Sequence, residues 1–188
     1  MNFEQFGFTP QIAAGISAAG YQTPTPIQLK SIPQILSGKD LIGLAQTGTG
    51  KTAAFALPLL QRLSYGRTGV LRALVLSPTR ELAEQTYRAI QALGRKTGLR
   101  VATVYGGVSP VPQIRALRSG VEIVVACPGR LLDLIGQRQV RMERIETVII
   151  DEADMMFDMG FLPDVRRILA LVPEKRQTLL FSATMSKE

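Results

Sequence analysis

A glycine-rich octapeptide near the start of the chain has the residue types of a phosphate-binding loop. It reads Ala45-Gln46-Thr47-Gly48-Thr49-Gly50-Lys51-Thr52. Residues 40–44 predict a short buried strand before it, and residues 53–57 predict the opening of a helix after it. A turn from strand to helix directs backbone N–H groups and a helix N-terminus at one point, which favours an anion there.

The positions of this octapeptide have separate expected roles. Gly48 and Gly50 would let the backbone approach the phosphates of a nucleotide, and Lys51 would reach the β- and γ-phosphates. Thr52 would hold Mg²⁺. The first position is Ala45, where the common pattern has glycine. The alternative is an ordinary glycine-rich turn, which the strand and helix on either side disfavour.

A second segment supplies the acidic groups that a phosphate loop lacks. Residues 146–150 are β-branched and apolar, which predicts an interior parallel strand, and Asp151-Glu152-Ala153-Asp154 follows directly. Asp151 would then lie at the sheet edge where open α/β sheets bind ligands, and it would position Mg²⁺. Glu152 would orient or deprotonate an attacking water, which suits hydrolysis. The alternative, a surface turn that caps the next helix, is disfavoured by the strand before it.

Composition limits the class of protein. A chain of 188 residues with 46% hydrophobic residues can bury one good core, so we expect one domain. The formal charge of +7 favours a polyanionic partner, although charge alone is a weak indication. One cysteine excludes an internal disulfide, and the absence of histidine disfavours a zinc site. With no signal-peptide pattern and no long apolar run, we expect a cytoplasmic protein without a membrane partner.

Predicted strands alternate with helical patterns along the rest of the chain. The strands after the phosphate loop are residues 72–77, 100–105, 122–126, 146–150 and 177–181. The clearest helix has Leu82, Thr86, Ile90 and Leu93 on one face, with Thr79 as a cap and Gly98 past its end. This alternation predicts an α/β fold in which helices cover both faces of a mostly parallel sheet. Residues 1–38 predict a helical segment that precedes the sheet core of residues 39–188.

The ordered motifs resemble those of the DEAD-box ATP-dependent RNA helicases of the bacterial type, a family named after the tetrad at Asp151–Asp154. The resemblance covers essentially the whole chain and implies a RecA-like phosphate-loop NTPase domain with ATP and Mg²⁺ as cofactors. The matching segments are Gly20-Tyr21-Gln22-Thr23-Pro24-Thr25-Pro26-Ile27-Gln28, Pro78-Thr79-Arg80-Glu81-Leu82-Ala83, Gly106-Gly107, Pro128-Gly129-Arg130 and Ser182-Ala183-Thr184.

Two residues are expected to bind the adenine base. The amide of Gln28, in the segment that matches the Q motif of the family, can pair with adenine N6 and N7. Phe3 lies at the spacing of the family's upstream aromatic residue and could stack on the base. For Phe3 the alternative is packing of the N-terminal segment, and Phe6 and Phe8 are competitors for the stacking role.

Three segments that follow successive strands are expected to bind RNA. They comprise Pro78, Thr79, Arg80, Gly106, Gly107, Cys127, Pro128, Gly129 and Arg130. A helix N-terminus with Thr and Arg can bind a phosphate without reading base sequence. Taken singly, the segments could be a helix cap, a tight turn and a surface charge. The resemblance identifies them as the path of single-stranded RNA, and it implies a single strand or a short duplex of RNA as the partner. Cys127 stands where the family usually has threonine, and it could instead pack at a strand end.

The resemblance also implies coupling between the ATP site and the RNA, and a second domain in the longer protein. Ser182 and Thr184 would bond to Asp154 and so link the ATP site to RNA. Family members continue into a second RecA-like domain with arginine fingers, so we expect this chain to be the N-terminal half, which binds nucleotide but does not unwind RNA alone. The intact protein would hydrolyse ATP to separate short duplexes locally. One alternative is a DNA translocase or other ATPase with the same core. The other is a non-enzymatic clamp that binds RNA and ATP with little turnover of ATP.

Overall fold

Six parallel strands form one sheet in the computed structural model, which describes residues 2–184. The strands are β1 Leu41–Leu44, β2 Ala73–Leu76, β3 Val101–Val104, β4 Ile123–Ala126, β5 Thr147–Ile150 and β6 Gln177–Ser182. Their order across the sheet is β1-β6-β5-β2-β4-β3, and every neighbouring pair is parallel. All six strands therefore end at the same edge.

Helices connect the strands. After a short 3-10 helix at Phe3–Phe6 come α1 Pro10–Ala18, α2 Pro26–Leu36, α3 Lys51–Leu63, α4 Arg80–Leu93, α5 Pro110–Arg118, α6 Pro128–Gly136, α7 Ala153–Asp158 and α8 Leu162–Leu169. Proline opens four of these helices, where its missing N–H costs no helical hydrogen bond and its fixed φ suits the first turn.

Alternation along the strands divides the apolar residues into two cores. Val75 of β2 and Val125 of β4 point to the face covered by α1, α2, α3 and α4. Leu74 and Val124, their neighbours in sequence, point to the face covered by α5, α6, α7 and α8. Because successive side chains of a strand point to opposite faces, one apolar run serves both cores. The predicted fold class, a parallel sheet covered on both faces, is confirmed.

The first strand differs from the prediction of a buried strand. β1 lies at the end of the sheet and pairs only with β6 among the described residues. Gly43 faces the first core, where an added Cβ would lie 2.6 Å from the Phe181 ring. Ile42 and Leu44 point the other way and are 58% and 49% exposed. An apolar run predicts a strand, but it does not reveal whether both faces of that strand are covered.

The predicted helix over residues 79–93 is α4, with two adjustments. Ala83, Thr86, Ile90 and Leu93 form its buried face, whereas Leu82 is only half-buried. The helix ends at Leu93 and Gly94 follows it directly, so Gly98 lies beyond an intervening turn. Gly15 of α1 packs on this helix end so closely that an added Cβ would lie 1.9 Å from the Leu93 carbonyl oxygen.

Candidate functional site

All the predicted site segments after residue 44 leave the sheet at the carboxyl ends of its strands, and they divide into two halves. The phosphate loop follows β1, the acidic tetrad follows β5, and Ser182–Thr184 begins with the last residue of β6; these three strands are neighbours in the sheet. The segments that begin at Pro78, Gly106 and Cys127 follow β2, β3 and β4, which form the other half. One half thus has the residues expected to bind nucleotide, and the other has those expected to bind RNA.

The phosphate loop has the backbone conformation that its glycines predict. Gly48 and Gly50 have φ angles of 83° and 91°, in the left-handed region that favours glycine. The Thr49 hydroxyl donates to the Gln46 carbonyl oxygen at 2.6 Å, which closes the turn. The loop begins where the Ala45 N–H donates to the Ser182 carbonyl oxygen of β6, and α3 begins at Lys51. The N-terminus of this thirteen-residue helix therefore points to the loop.

Lys51 and Glu152 form a buried ion pair. The Lys51 Nζ lies 2.8 Å from the Glu152 Oε2, and the two side chains are 4% and 12% exposed. Glu152 has φ 52° and ψ 52°, a left-handed conformation that is uncommon for a residue with a side chain. Such a conformation costs free energy of about 1–3 kcal/mol, and it persists where surrounding contacts fix it.

Asp151 is buried beside this pair and has few hydrogen bonds. Its carboxylate accepts from the Glu152 N–H at 3.1 Å and from the Thr86 hydroxyl at 3.5 Å. Burial, and then the negative charge of Glu152, raise the pKa of Asp151 to about 6, although the Lys51 ammonium opposes them. The site thus holds two carboxyl groups and one ammonium group, which leaves an excess negative charge when both carboxyl groups ionise.

Gln28 touches the phosphate loop. Its side chain is buried, and its Nε2 donates to the Gly50 carbonyl oxygen at 3.1 Å. Its Oε1 accepts from the Thr25 N–H at 2.9 Å, at the start of α2. An amide has two N–H groups and two oxygen lone pairs, so one donor and one acceptor remain for a ligand.

Phe3 is buried between other aromatic rings. Its ring centroid lies 6.1 Å from that of Tyr21, with an angle of 20° between the planes, and 6.0 Å from that of Phe6. Phe6 and Phe8 are half-buried against the same core. The packing expected as the alternative for Phe3 is therefore present.

Asp154 bonds to the end of β6. Its Oδ2 accepts from the Thr184 N–H at 2.9 Å and from the Thr184 hydroxyl at 3.0 Å. The Ser182 hydroxyl accepts from the Asp154 N–H at 3.3 Å and donates to the Thr184 carbonyl oxygen at 2.6 Å. Burial raises the pKa of Asp154, but the hydrogen bonds that its carboxylate accepts from Thr184 and from the Met155 N–H outweigh burial and hold the pKa below its ordinary value.

The first segment of the predicted RNA track begins α4. Pro78 is buried, and the Thr79 hydroxyl caps the helix by accepting from the Leu82 N–H at 3.3 Å. Arg80 is exposed, and its guanidinium carbon lies 5.2 Å from the centroid of the Tyr105 ring. Thr79 and Arg80 thus lie at a helix N-terminus that faces the sheet edge.

The other two track segments touch each other. Gly106 and Gly107 are exposed, and one guanidinium N–H of Arg130 donates to the carbonyl oxygen of Val108 in the same loop at 3.2 Å. Cys127 is half-buried, packs against the first core and precedes α6, whose first residue is the buried Pro128. Gly129 is exposed. Burial, and then the charge of Glu81, raise the pKa of the Cys127 thiol to about 11, so it remains protonated at neutral pH.

Four contacting residues were absent from the sequence predictions of the site. The helical pattern places Thr86 on the apolar face of α4, and the presence of a polar residue in that apolar stripe is the one available signal. Tyr105, Glu84 and Gln113 surround Arg80 and the glycine loop, and no local pattern distinguishes them.

Two negative observations apply to residues 2–184. No cluster of three or more His, Cys, Asp or Glu side chains there has a geometry that could hold a metal ion. None of the helices in that range is long and apolar enough to cross a membrane.

Comparison with curated proteins gives relatives that are longer than this chain. The DEAD-box ATP-dependent RNA helicase CshA of Streptococcus pneumoniae is 51% identical over 185 residues, which are 98% of this chain and 35% of that protein. The ATP-dependent RNA helicase CshA of Limosilactobacillus reuteri is 46% identical over 188 residues, which are 100% of this chain and 38% of that protein. The chain spans little more than a third of these relatives.

Comparison with solved structures and family sequences agrees with this result. The crystal structure of a DEAD box protein from the hyperthermophile Methanococcus jannaschii matches with a TM-score of 0.92 and 39% identity, over 100% of this chain and 51% of that chain. The DEAD/DEAH box helicase family matches residues 25–188. The chain therefore belongs to the DEAD/DEAH box helicase family and has the RecA-like fold of a DEAD-box protein.

Proposed function

We propose that this chain is the ATP-binding half of an ATP-dependent RNA helicase. The observation that carries the proposal is the contact of Lys51 with Glu152, which are 101 residues apart in sequence and 2.8 Å apart in space. This contact joins the phosphate loop to the acidic tetrad at the edge where α/β sheets bind ligands. The relatives named above are ATP-dependent RNA helicases, which supports the choice of ATP and RNA.

Lys51 and Glu152 would change partners when a nucleotide binds. Phosphate oxygens in the loop would compete with the Glu152 carboxylate for the Lys51 ammonium, because both are anions within its reach. Once released, Glu152 would accept a proton from, or orient, the water that attacks the γ-phosphate. Binding would thus place the cation on the phosphates and free the base in one step.

The charge and the ligand types of this site suit Mg²⁺. Asp151 and Glu152 outnumber Lys51 by one charge when both ionise, so a divalent cation would relieve a buried negative excess. Asp151 and the Thr52 hydroxyl offer two oxygen ligands, and Mg²⁺ in nucleotide sites takes one or two protein ligands with phosphates and waters. When bound, Mg²⁺ supplies neutralisation of the phosphate charge.

Gln28 would select adenine, and it would also connect the bound base to the phosphate loop. Its remaining N–H and oxygen lone pair can pair with adenine N7 and N6, whereas guanine presents O6, an acceptor, in place of the N6 donor. Because the same amide donates to the Gly50 carbonyl oxygen, the base and the loop would share one side chain. Phe3, whose ring packs beside Tyr21 and Phe6, would contribute stacking on the base.

The second half of the sheet edge would bind the RNA backbone. Thr79 with the free N–H groups of α4, the exposed Gly106 and Gly107, and Arg130 offer donors at neighbouring strand ends. These groups bind phosphates, which carry no base sequence, so the binding would be independent of sequence. In the intact protein a second RecA-like domain would close on this edge, and ATP hydrolysis would reset the clamp.

The first experiment measures nucleotide selectivity of the chain itself. A fluorescent-labelled ADP is titrated with the protein and displaced by ATP, ADP, GTP or GDP. The adenine nucleotides should compete more strongly. Gln28→Ala should reduce this discrimination by about 1–3 kcal/mol, the scale of one bidentate base contact. Gln34→Ala is the matched control, since Gln34 is an exposed glutamine of the same helix. Equal affinity for guanine nucleotides in the unmutated chain would contradict the proposal.

The second experiment tests which nucleic acid stimulates ATP hydrolysis, in a version of the protein that includes the second RecA-like domain. Phosphate release from ATP should be stimulated by single-stranded RNA. Equal stimulation by single-stranded DNA would indicate a DNA translocase with the same core. RNA binding without stimulated phosphate release would indicate a non-enzymatic clamp.

A further inference from the structure

Tyr105 lies under the guanidinium group of Arg80. The Arg80 guanidinium carbon is 5.2 Å from the Tyr105 ring centroid, within the range of a cation–π contact. Arg80 is exposed, and it forms no ion pair with a carboxylate of residues 2–184. The aromatic ring is thus its main support, and the cationic group remains accessible to an anion.

The backbone of Tyr105 is fixed from the other side. The buried Gln113 of α5 donates its Nε2 to the Tyr105 carbonyl oxygen at 3.0 Å and accepts from the Tyr105 N–H at 3.2 Å. The Gln113 amide thus binds both backbone polar groups of Tyr105, which lies between the end of β3 and the Gly106–Gly107 turn. These two hydrogen bonds fix the backbone from which the Tyr105 ring extends.

The Tyr105 hydroxyl also engages the acid that would otherwise pair with Arg80. Glu84 is four residues after Arg80 on α4, a spacing at which opposite charges commonly pair. Instead, the Glu84 Oε1 accepts from the Tyr105 hydroxyl at 2.6 Å, and its Oε2 lies 3.9 Å from Arg88. This hydrogen bond and burial raise the pKa of Tyr105, so the phenol remains a donor at neutral pH.

We infer that Tyr105 is a positioning residue for RNA binding: its ring supports the Arg80 guanidinium and its hydroxyl holds Glu84 away from that cation. Tyr105 would thereby join the track segment at Arg80 to the one at Gly106–Gly107. The inference rests on the proposed function, since it concerns a phosphate of the RNA backbone at Arg80. It adds a residue whose own side chain does not contact the RNA.

The test measures binding of a short fluorescein-labelled polyuridine to the chain by anisotropy, over a range of salt concentrations. Arg80→Ala should weaken binding and should reduce the slope of log K against log salt by about 0.7, the value for one phosphate of a single strand. Tyr105→Leu should weaken binding roughly two- to fivefold, the scale of an exposed cation–π contact. In the Arg80→Ala background, Tyr105→Leu should have no further effect.

A second pair of variants separates the hydroxyl from the ring. Tyr105→Phe keeps the ring but removes the shortest hydrogen bond of Glu84 and leaves only the Thr103 hydroxyl, at 3.4 Å, on the same oxygen. Glu84 could then pair with Arg80, so the variant should weaken RNA binding. In a Glu84→Gln background the same change should have no effect, because no carboxylate remains to compete. Both variants in this comparison lack the Glu84 carboxylate, so the general effect of that lost negative charge on RNA binding is the same in both. Tyr105→Phe also keeps the proposal testable if Tyr105→Leu fails to fold.

The outcomes distinguish this inference from the proposed function. If Arg80→Ala changes neither the affinity nor the salt slope, the RNA track at Arg80 is wrong and the inference fails with it. If Arg80→Ala weakens binding but the Tyr105 variants do not, or weaken it equally with and without Arg80, the positioning role alone is wrong. Affinity for labelled ADP should be unchanged in all the Tyr105 variants.

Discussion

Replacement of Asp151 by asparagine should stabilise the fold while it removes a site residue. Asp151 is buried beside Glu152, and its pKa of about 6 lies above the ordinary value of 3.8. The folded state therefore favours the neutral acid, and ionisation at neutral pH costs stability. An asparagine keeps an oxygen for the Glu152 N–H and can donate to the Thr86 hydroxyl, so both hydrogen bonds of Asp151 have a replacement.

The magnitude and the pH range follow from that pKa. One pKa unit corresponds to about 1.4 kcal/mol, so a rise from 3.8 to about 6 corresponds to about 3 kcal/mol. Because the folded pKa is the higher one, stability from the protonated group is present below pH 3.8 and is lost as pH rises through about 6. The Asp151→Asn variant should match the unmutated chain near pH 4 and exceed its free energy of unfolding by about 3 kcal/mol near pH 7.

Urea unfolding followed by circular dichroism measures this difference, since the chain has no tryptophan for fluorescence. The matched control is Asp154→Asn, from the same tetrad. The pKa of Asp154 lies below its ordinary value because Thr184 donates two hydrogen bonds to the ionised carboxylate, which offset its burial. That variant should lose stability at neutral pH, and its deficit should shrink as the pH falls.

Two results would refute this reasoning. One is an Asp151→Asn variant that is no more stable than the unmutated chain near neutral pH. The other is a stability gain that remains unchanged when the pH is lowered to about 4, since a gain independent of ionisation would have another cause. A stabilised variant that no longer binds nucleotide with Mg²⁺ would show that Asp151 is retained for function at a cost in stability.

Four further substitutions have expected outcomes. Glu152→Gln in a two-domain version should abolish RNA-stimulated phosphate release but leave binding of labelled nucleotide nearly intact, whereas Lys51→Ala should weaken that binding; normal turnover of Glu152→Gln would assign the base elsewhere. Cys127→Thr should strengthen RNA binding with a non-hydrolysable ATP analogue by roughly 0.5–1.5 kcal/mol if the side chain faces RNA, and unchanged affinity would assign Cys127 to packing. Gly15→Ala should lower the free energy of unfolding by about 1–3 kcal/mol, measured by urea unfolding, because its Cβ would meet the Leu93 carbonyl; an unchanged midpoint would show that α1 can shift without cost.

The strands and the position of the site could be predicted from local patterns. Each strand is a short apolar run, and parallel strands end at one edge, so Asp151 and the phosphate loop had to lie at the same edge of the sheet. The left-handed conformation at Gly48 and Gly50 follows from residue type. These features depend on neighbours in sequence or on a general rule of sheet geometry.

The contacts between separate segments of the site could not be predicted in this way. Thr86 reaches Asp151 across 65 residues because β2 lies beside β5, and Tyr105 reaches Glu84 because β3 and α4 are neighbours. Strand order sets both contacts, and no local pattern encodes it. Residue type also gives no indication of the left-handed conformation of Glu152, the residue that pairs with Lys51.

The exposed strand β1 has a consequence for the behaviour of the purified chain. Ile42 and Leu44 present an apolar surface beside a strand edge that no other strand within residues 2–184 pairs with. Unpaired edges with apolar neighbours are the surfaces through which separate molecules add to one another's sheets. The net charge of +7 opposes such association by mutual repulsion, and added salt screens that repulsion. Salt that weakens the proposed RNA binding would therefore also favour aggregation at high protein concentration.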